Sequence, residues 1–266
     1  MRRKLLIDAR KAAGRTQEQV ARLVGVDRTT LGKWERDEST PQPSQRSVYA
    51  EALGVTLDEL DAMLSSVPQH SKQLPEWLTT YLGMEQSATM LRAHEPRAVY
   101  GLLQTPAYVE HLARGLCIPP VTDTYLRRTV DQRRYRQKRV HDGDLTLEVV
   151  QPESALHMRV GDAAVMAEQL GVMVELSELP NVTIRITTYD SGPYAARRLG
   201  DFVMMSHPWC AARVHIEGYS GGQFITNADE VEYFAAAFEH ACRVALSPRQ
   251  SREFLRELAD TWRVRA

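Results

Sequence analysis

Cysteine is scarce in this 266-residue chain: Cys117, Cys210 and Cys242 are an odd number, lie far apart and form no C-x-x-C pair. Neither a disulfide framework nor a paired-thiolate zinc site is indicated, and the three read as reduced thiols. Long apolar runs are missing too. None approaches the roughly 20 residues that a membrane span needs. The basic start Met1-Arg2-Arg3-Lys4 runs into Asp8, Arg10 and Lys11 rather than into a secretory apolar segment, so the expected location is the cytoplasm, with no membrane partner. Net charge is almost absent at −1, which excludes a chain that is basic throughout. Internal repeats and low-complexity tracts are absent as well.

What is present is ordinary globular material, 43% hydrophobic and 25% charged, enough for packed cores in a small domain joined to a larger one. The charge is unevenly placed. Residues 1 to 46 hold eleven Lys or Arg against six Asp or Glu, an excess of five that suits a phosphate-facing surface.

That first segment reads as five short helices. Leu5, Leu6, Ala9 and Ala13 make one helical face, stopped by Gly14. Thr16 with Gln19 forms a capping-box pattern ahead of a helix whose inner face is Val20, Leu23 and Val24, ended by Gly25. Asp27 caps a third helix from Arg28 to about Arg36, with Leu31 and Trp34 inward. A fourth carries Val48, Tyr49, Ala52 and Leu53 and ends at Gly54. Thr56 caps a fifth with Leu57, Leu60 and Leu64. The polar, proline-punctuated stretch 65–75 is the expected linker, which gives domains at 1–64 and 76–266.

Two short helices joined by a tight glycine turn can place the second in the DNA major groove. With Leu31 and Trp34 inward, the third helix turns Thr29, Gly32, Lys33 and Arg36 outward, and Arg28 projects from its first turn. Arg pairs bidentately with guanine, Thr bonds a base or touches a thymine methyl, and Lys reaches guanine acceptors. Gly32 either lets backbone approach the bases or is a lax surface position. Gln17, at the start of the second helix, either clamps a phosphate or is simply solvated. Arg10 and Glu35 are natural partners across the first and third helices. Arg36 and Arg46 read as DNA-backbone contacts or plain surface charge.

The combination of Arg10, Thr16-Gln17-Glu18-Gln19-Val20-Ala21, Gly25-Val26-Asp27-Arg28-Thr29-Thr30-Leu31, Trp34-Glu35-Arg36 and Leu53-Gly54-Val55 resembles the lambda-Cro-like (XRE) helix-turn-helix family, over about a quarter of the chain. The resemblance implies a five-helix, lambda-repressor-like domain, an Arg10–Glu35 pair, a Gln17 phosphate clamp and base contacts from Arg28, Thr29 and Lys33. Gly32 departs from a usual polar residue, and Asp37-Glu38 stand where the family often has glycine and a basic residue.

Beyond the linker, helices are expected at Trp77 to Leu82, Pro106 to about Leu116 and Thr122 to about Val140. A strand at Leu145 to Val150, a helix at Ala163 to Leu179 and the alternating strand Val182-Thr183-Ile184-Arg185-Ile186 suggest a βαβ unit. Strands at Phe202 to Ser206 and Ala212 to Glu217 and helices at 228–246 and 249–263 follow. The stretches Gly101-Leu102-Leu103-Gln104-Thr105-Pro106-Ala107-Tyr108, Arg133 to Gln137, Glu153-Ser154-Ala155-Leu156, Met166 to Leu170 and Asn181-Val182 resemble a domain of unknown function found behind such modules in actinobacterial regulators, also described as Scr-type antitoxin-like. Tyr100 stands where a proline is common. This resemblance implies a regulator or antitoxin, often with a small partner protein.

Enzymatic readings are thin. Gly218-Tyr219-Ser220-Gly221-Gly222 fits G-x-S-x-G, with Asp229 and His240 following. A nucleophile elbow needs a helix starting at the serine, whereas Gly221 to Thr226 reads as a turn and an extended segment. His207 near Cys210, His240 near Cys242 and His94-Glu95 lack metal-ligand spacing. The helix from Thr122 to Val140 holds seven basic residues against Asp123 and Asp131, a solvated face or a surface for an acidic partner or DNA. The expectation is therefore an α+β chain: an all-α DNA-binding domain, then a mixed α/β domain with a small sheet and closing helices. It would be a sequence-specific regulator of double-stranded DNA, a homodimer through Phe234, Phe238, Leu255, Leu258 or Trp262, with no catalytic residue, cofactor or metal. The alternatives are a DNA-binding antitoxin masking a small toxin and an enzyme fused to a DNA-binding module.

Overall fold

The computed structural model describes residues 3–64, 76–117, 120–208, 210–218 and 221–266. The expected linker at 65–75, Trp209 and Ser220 lie outside them. The chain divides into two compact units, Met1–Ser87 with Pro208–Cys210, and Ala88–His207 with Ala211–Ala266. The whole is mixed helix and sheet, with a helical first unit and a six-stranded sheet in the second.

In the first unit, α1 (Lys4–Ala12), α2 (Gln17–Val24), α3 (Arg28–Glu35), α4 (Pro43–Leu53) and α5 (Leu57–Leu64) are followed by α6 (Glu76–Ser87). The sequence assignment gave α6 to the second domain; here it packs on α5. Short-range chemistry sets the helix boundaries. The Thr16 hydroxyl accepts from the Gln19 amide while the Gln19 side chain accepts from the Thr16 amide, and Gly25 closes α2 in the left-handed conformation at φ 77°. Asp27 caps α3 and Thr56 caps α5. Leu6, Val20, Leu31, Trp34, Tyr49, Leu53, Leu60 and Leu64 make the core.

Leu23, expected on an inner face, is exposed at 52%, and Val48 and Leu57 are exposed as well, at 42% and 44%. For Leu23 the reason is rotational. Helix α2 packs on both α3 and α4, so its buried arc runs through Val20, Val24 and Ala21. At about 100° per residue, Leu23 falls outside that arc.

In the second unit the sheet order is β3-β2-β1-β4-β5-β6. Its strands are β1 (Met90–His94), β2 (Thr146–Pro152), β3 (Val182–Thr187), β4 (Phe202–His207), β5 (Cys210–Gly218) and β6 (Gly221–Ile225). β2 runs parallel to both β1 and β3, β4 is antiparallel to β1, and β6 is antiparallel to β5. The segment from β2 through α9 (Glu153–His157) and α10 (Ala163–Leu176) to β3 is the expected crossover. Strand β1 was not anticipated, although it is central. Only Leu91 and Ala93 are buried before His94, and Ala and His are not strand formers, so its five residues give a weak periodic signal. Also unanticipated are α9 and α11 (Ala195–Leu199). The other helices are α7 (Pro106–Leu116), α8 (Asp123–His141), α12 (Ala228–Val244) and α13 (Pro248–Val264).

The closing helices spend their apolar residues internally. Phe234, Phe238, Leu255, Leu258 and Trp262 are all buried within the unit, with α13 against α10 and α12 over β2 and β3. The five residues named as candidates for a two-fold contact are core, because an amphipathic helix laid on a sheet or on an apolar helix such as α10 uses its whole apolar stripe there.

The 95–105 loop after β1 is pinned by buried amides. Gln151 accepts from the Tyr100 amide at 3.0 Å and donates to the Glu95 and Ala98 carbonyls at 2.6 and 2.9 Å. Gln169 accepts from the Thr105 amide and donates to the Leu103 carbonyl, both at 2.7 Å. Gln137 donates to the Gln104 carbonyl at 2.7 Å. Tyr100 uses an N–H that a proline lacks. Arg133 Nη1 lies 1.9 Å from where a Cβ on Gly101 would stand, so a larger residue there would displace that guanidinium.

Candidate nucleic-acid interface

Helix α3 has two chemically opposed sides. Leu31, Trp34 and Glu35 are buried, whereas Arg28, Thr29, Lys33 and Arg36 are exposed. Trp34 anchors the inner side against the Tyr49 ring, centroids 5.3 Å apart. The outer side carries three cations and a hydroxyl on eight helical residues and the residue after them.

The buried carboxylate of Glu35 joins α1, α2 and α3. Arg10 meets it through Nε at 2.5 Å and Nη2 at 3.3 Å, and the Gln17 amide donates to it at 2.7 Å. The Gln17 side chain, expected to clamp phosphate, is thus held by Glu35. What α2 presents is its N-terminus, whose first amides have no acceptor within the helix. They border a cleft of about 690 Å³ lined by Lys11, Thr16, Gln17 and Arg28 among others, a favourable setting for one phosphate.

Asp27 organises the other end of the turn. It accepts from the Thr30 amide at 2.8 Å, from the Thr30 hydroxyl at 2.9 Å and from the Thr29 hydroxyl. The hydroxyl of Thr29, then those Thr30 contacts, push the Asp27 carboxyl down to about 2. With its proton committed to Asp27, Thr29 offers bases its oxygen lone pairs and its methyl group.

Gly32 does not face outward bare, as the helical wheel suggested. It is buried, and a Cβ there would stand 2.9 Å from Arg36 Nη1, so the guanidinium lies across it. The wheel places directions but not the reach of a long side chain one turn on. Arg36 itself is paired with Glu38, at 2.7 Å from Nε to Oε1 and 2.9 Å from Nη2 to Oε2. Arg46 donates to the Pro41 carbonyl at 3.3 Å.

Arg3 escaped the sequence reading, which counted it only as positive charge. Its guanidinium meets the Asp37 carboxylate at 2.9 Å, the Ser39 carbonyl at 3.1 Å, the Thr40 hydroxyl at 3.0 Å and the Leu64 carbonyl at 3.2 Å. Asp37 adopts φ 61°, the left-handed region where the resembling family often has glycine. No local pattern announces Arg3, since its partners lie more than thirty residues away.

In the second unit, strand β6 begins directly after Ser220. Asp229 lies in the first turn of α12, and His240 Nδ1 accepts from the Ala195 amide at 3.4 Å. Among the described residues no group of three or more His, Cys, Asp or Glu is placed to hold a metal ion, and no helix is long and apolar enough to cross a membrane.

A search of curated proteins and a search of solved structures each return no match to the chain. Family models do match. Residues 6–60, spanning α1 to α5, fit a model described as helix-turn-helix, the module of DNA-binding regulators. Residues 78–257, more than half of the chain, fit the model described as "Domain of unknown function (DUF5753)", and the protein therefore belongs to that family, with a DNA-binding helix-turn-helix ahead of the family domain.

Proposed function

We propose that the protein is a cytoplasmic, sequence-specific transcription regulator of the lambda-Cro-like type that lays α3 in the major groove of double-stranded DNA. The observation that carries this is the division of α3 into a buried side and an exposed side bearing Arg28, Thr29 and Lys33. Arg28 and Lys33 read guanine acceptors, Thr29 a base edge or methyl group, and the α2 N-terminus takes a phosphate. Gln17 acts by fixing Glu35 and through its backbone amide. Gly32 serves as the bed for Arg36. The reading involves no catalysis, cofactor or metal: a strand, not a helix, follows Ser220, which does not suit a nucleophile elbow.

The second unit, on this proposal, dimerises and receives a partner protein or signal. One small helix-turn-helix contacts few phosphates, and affinity generally comes from two linked copies about one helical turn apart. Selection from a random duplex library with the full-length protein, followed by footprinting and sedimentation, tests both parts. The expected result is one enriched motif in two half-sites about 10 base pairs apart, bound by a species of twice the 30.1 kDa chain mass. A library that enriches nothing sinks the regulator reading. A monomer on an unrepeated half-site sinks the dimer.

A further inference from the structure

The geometry at the end of α3 points to Glu38 as an internal counterion that competes with DNA phosphate for Arg36: we propose that this latch restrains sequence-independent binding. The inference rests on the DNA-binding reading and concerns one pair at its edge.

The pair is side-on. Both Glu38 carboxylate oxygens accept from one edge of the Arg36 guanidinium, Nε and Nη2, leaving Nη1 against the Gly32 backbone. That is the bidentate geometry a phosphate would use, so Glu38 and a phosphate cannot occupy the edge together. Both partners are about half exposed, at 45% and 51%, so a DNA strand can reach the pair and displace it. The placement is built, not incidental. Arg3 holds Asp37, whose left-handed φ of 61° reverses the chain, and the Glu38 amide then bonds the Lys33 carbonyl at 2.9 Å. The reversal brings Glu38 back beside the residue two positions earlier. Gly32 completes the arrangement, because a side chain there would lift the guanidinium.

An exposed ion pair is weak, so the latch opens wherever DNA offers a well-aligned phosphate and closes elsewhere. Its effect is to reduce the count of phosphates engaged on arbitrary DNA by one, which widens the ratio of specific to non-specific affinity.

A double-mutant cycle on the full-length chain tests this, using a random-sequence 30-base-pair duplex titrated at several salt concentrations. Glu38→Gln is expected to tighten binding about two- to fivefold and to steepen the slope of log K against log salt by about one. Arg36→Ala, combined with Glu38→Gln, is expected to abolish most of that gain. An equal gain from Glu38→Gln with and without Arg36 overturns the latch, because Glu38 would then act only as a repelling charge. An unchanged Glu38→Gln also overturns it. Unaltered protein that binds no duplex at any salt overturns the DNA-binding reading itself, a result separate from either. Circular dichroism of each variant verifies that the exposed substitutions leave the helices formed.

Discussion

Arg3 and Asp37, thirty-four positions apart in the chain, meet at 2.9 Å and fix the exit of α3. The same guanidinium also binds carbonyls at Ser39 and Leu64. It therefore ties the start of α1, the end of α3 and the end of α5 together. A hydrogen bond to a charged group is worth about 1.5–3 kcal/mol, and the cost of burying the guanidinium offsets much of the sum over its acceptors. Arg3→Ala should cost the first unit about 2–3 kcal/mol. Asp37→Gly should stay within about 1 kcal/mol of the parent, since relief of the left-handed conformation, about 1–2 kcal/mol, offsets the lost pair. Hydrogen exchange of the α3 and α5 amides measures both. Equal loss of protection in the two variants would contradict this ordering.

Glu35 is 2% exposed and forms an ion pair with Arg10. Removing one partner of a buried pair leaves an uncompensated charge, at about 3–5 kcal/mol. Arg10→Met should lower stability by that amount, and adding Glu35→Gln should recover a large part of it. Urea denaturation followed by circular dichroism measures the series. A double variant as unstable as Arg10→Met alone would show that the cost is lost packing rather than charge.

Arg28→Ala and Lys33→Ala should each cost about 1–3 kcal/mol on a selected operator and relax preference at particular base pairs. Gln17→Ala keeps the backbone amide and should leave the ratio of operator to random binding unchanged, while lowering stability by about 1 kcal/mol through the lost bond to Glu35. Competition binding against operator and random duplex separates these. Equal loss on both for Arg28→Ala would make that residue a phosphate contact.

Glu95 gives the second unit a pH dependence of defined sign. Burial, followed by smaller effects that include the nearby Asp201, raises its carboxyl to about 7 from an ordinary 4.5, against the Arg97 amide and guanidinium, which lower it. A raised folded-state value means the protonated form is favoured in the fold. Its stabilising contribution is complete below about 4.5 and is lost as pH rises through about 7. Glu95→Gln should match the parent near pH 4.5 and exceed it by about 2–3 kcal/mol near pH 8. Urea midpoints across that range are the measurement. A difference that does not grow with pH would show that Glu95 ionises normally.

Local chemistry made much of the chain legible. Capping is short-range, so Thr16 with Gln19, Asp27, Thr105 before Pro106, Thr122 and Asp162 mark helix starts wherever the chain goes afterwards. Strand β3 shows its alternation because one face is buried and the other is not. Tertiary structure alone decided the rest. It gave Gln17 to Glu35, laid Arg36 over Gly32, turned Leu23 to solvent, set β1 between two partners and closed Phe238 and Trp262 into the core. A residue's own neighbours fix its backbone and its direction on a helix. Which long side chain it meets, and how much of its helix face a second element covers, depends on segments tens of residues away, and only packing brings those together.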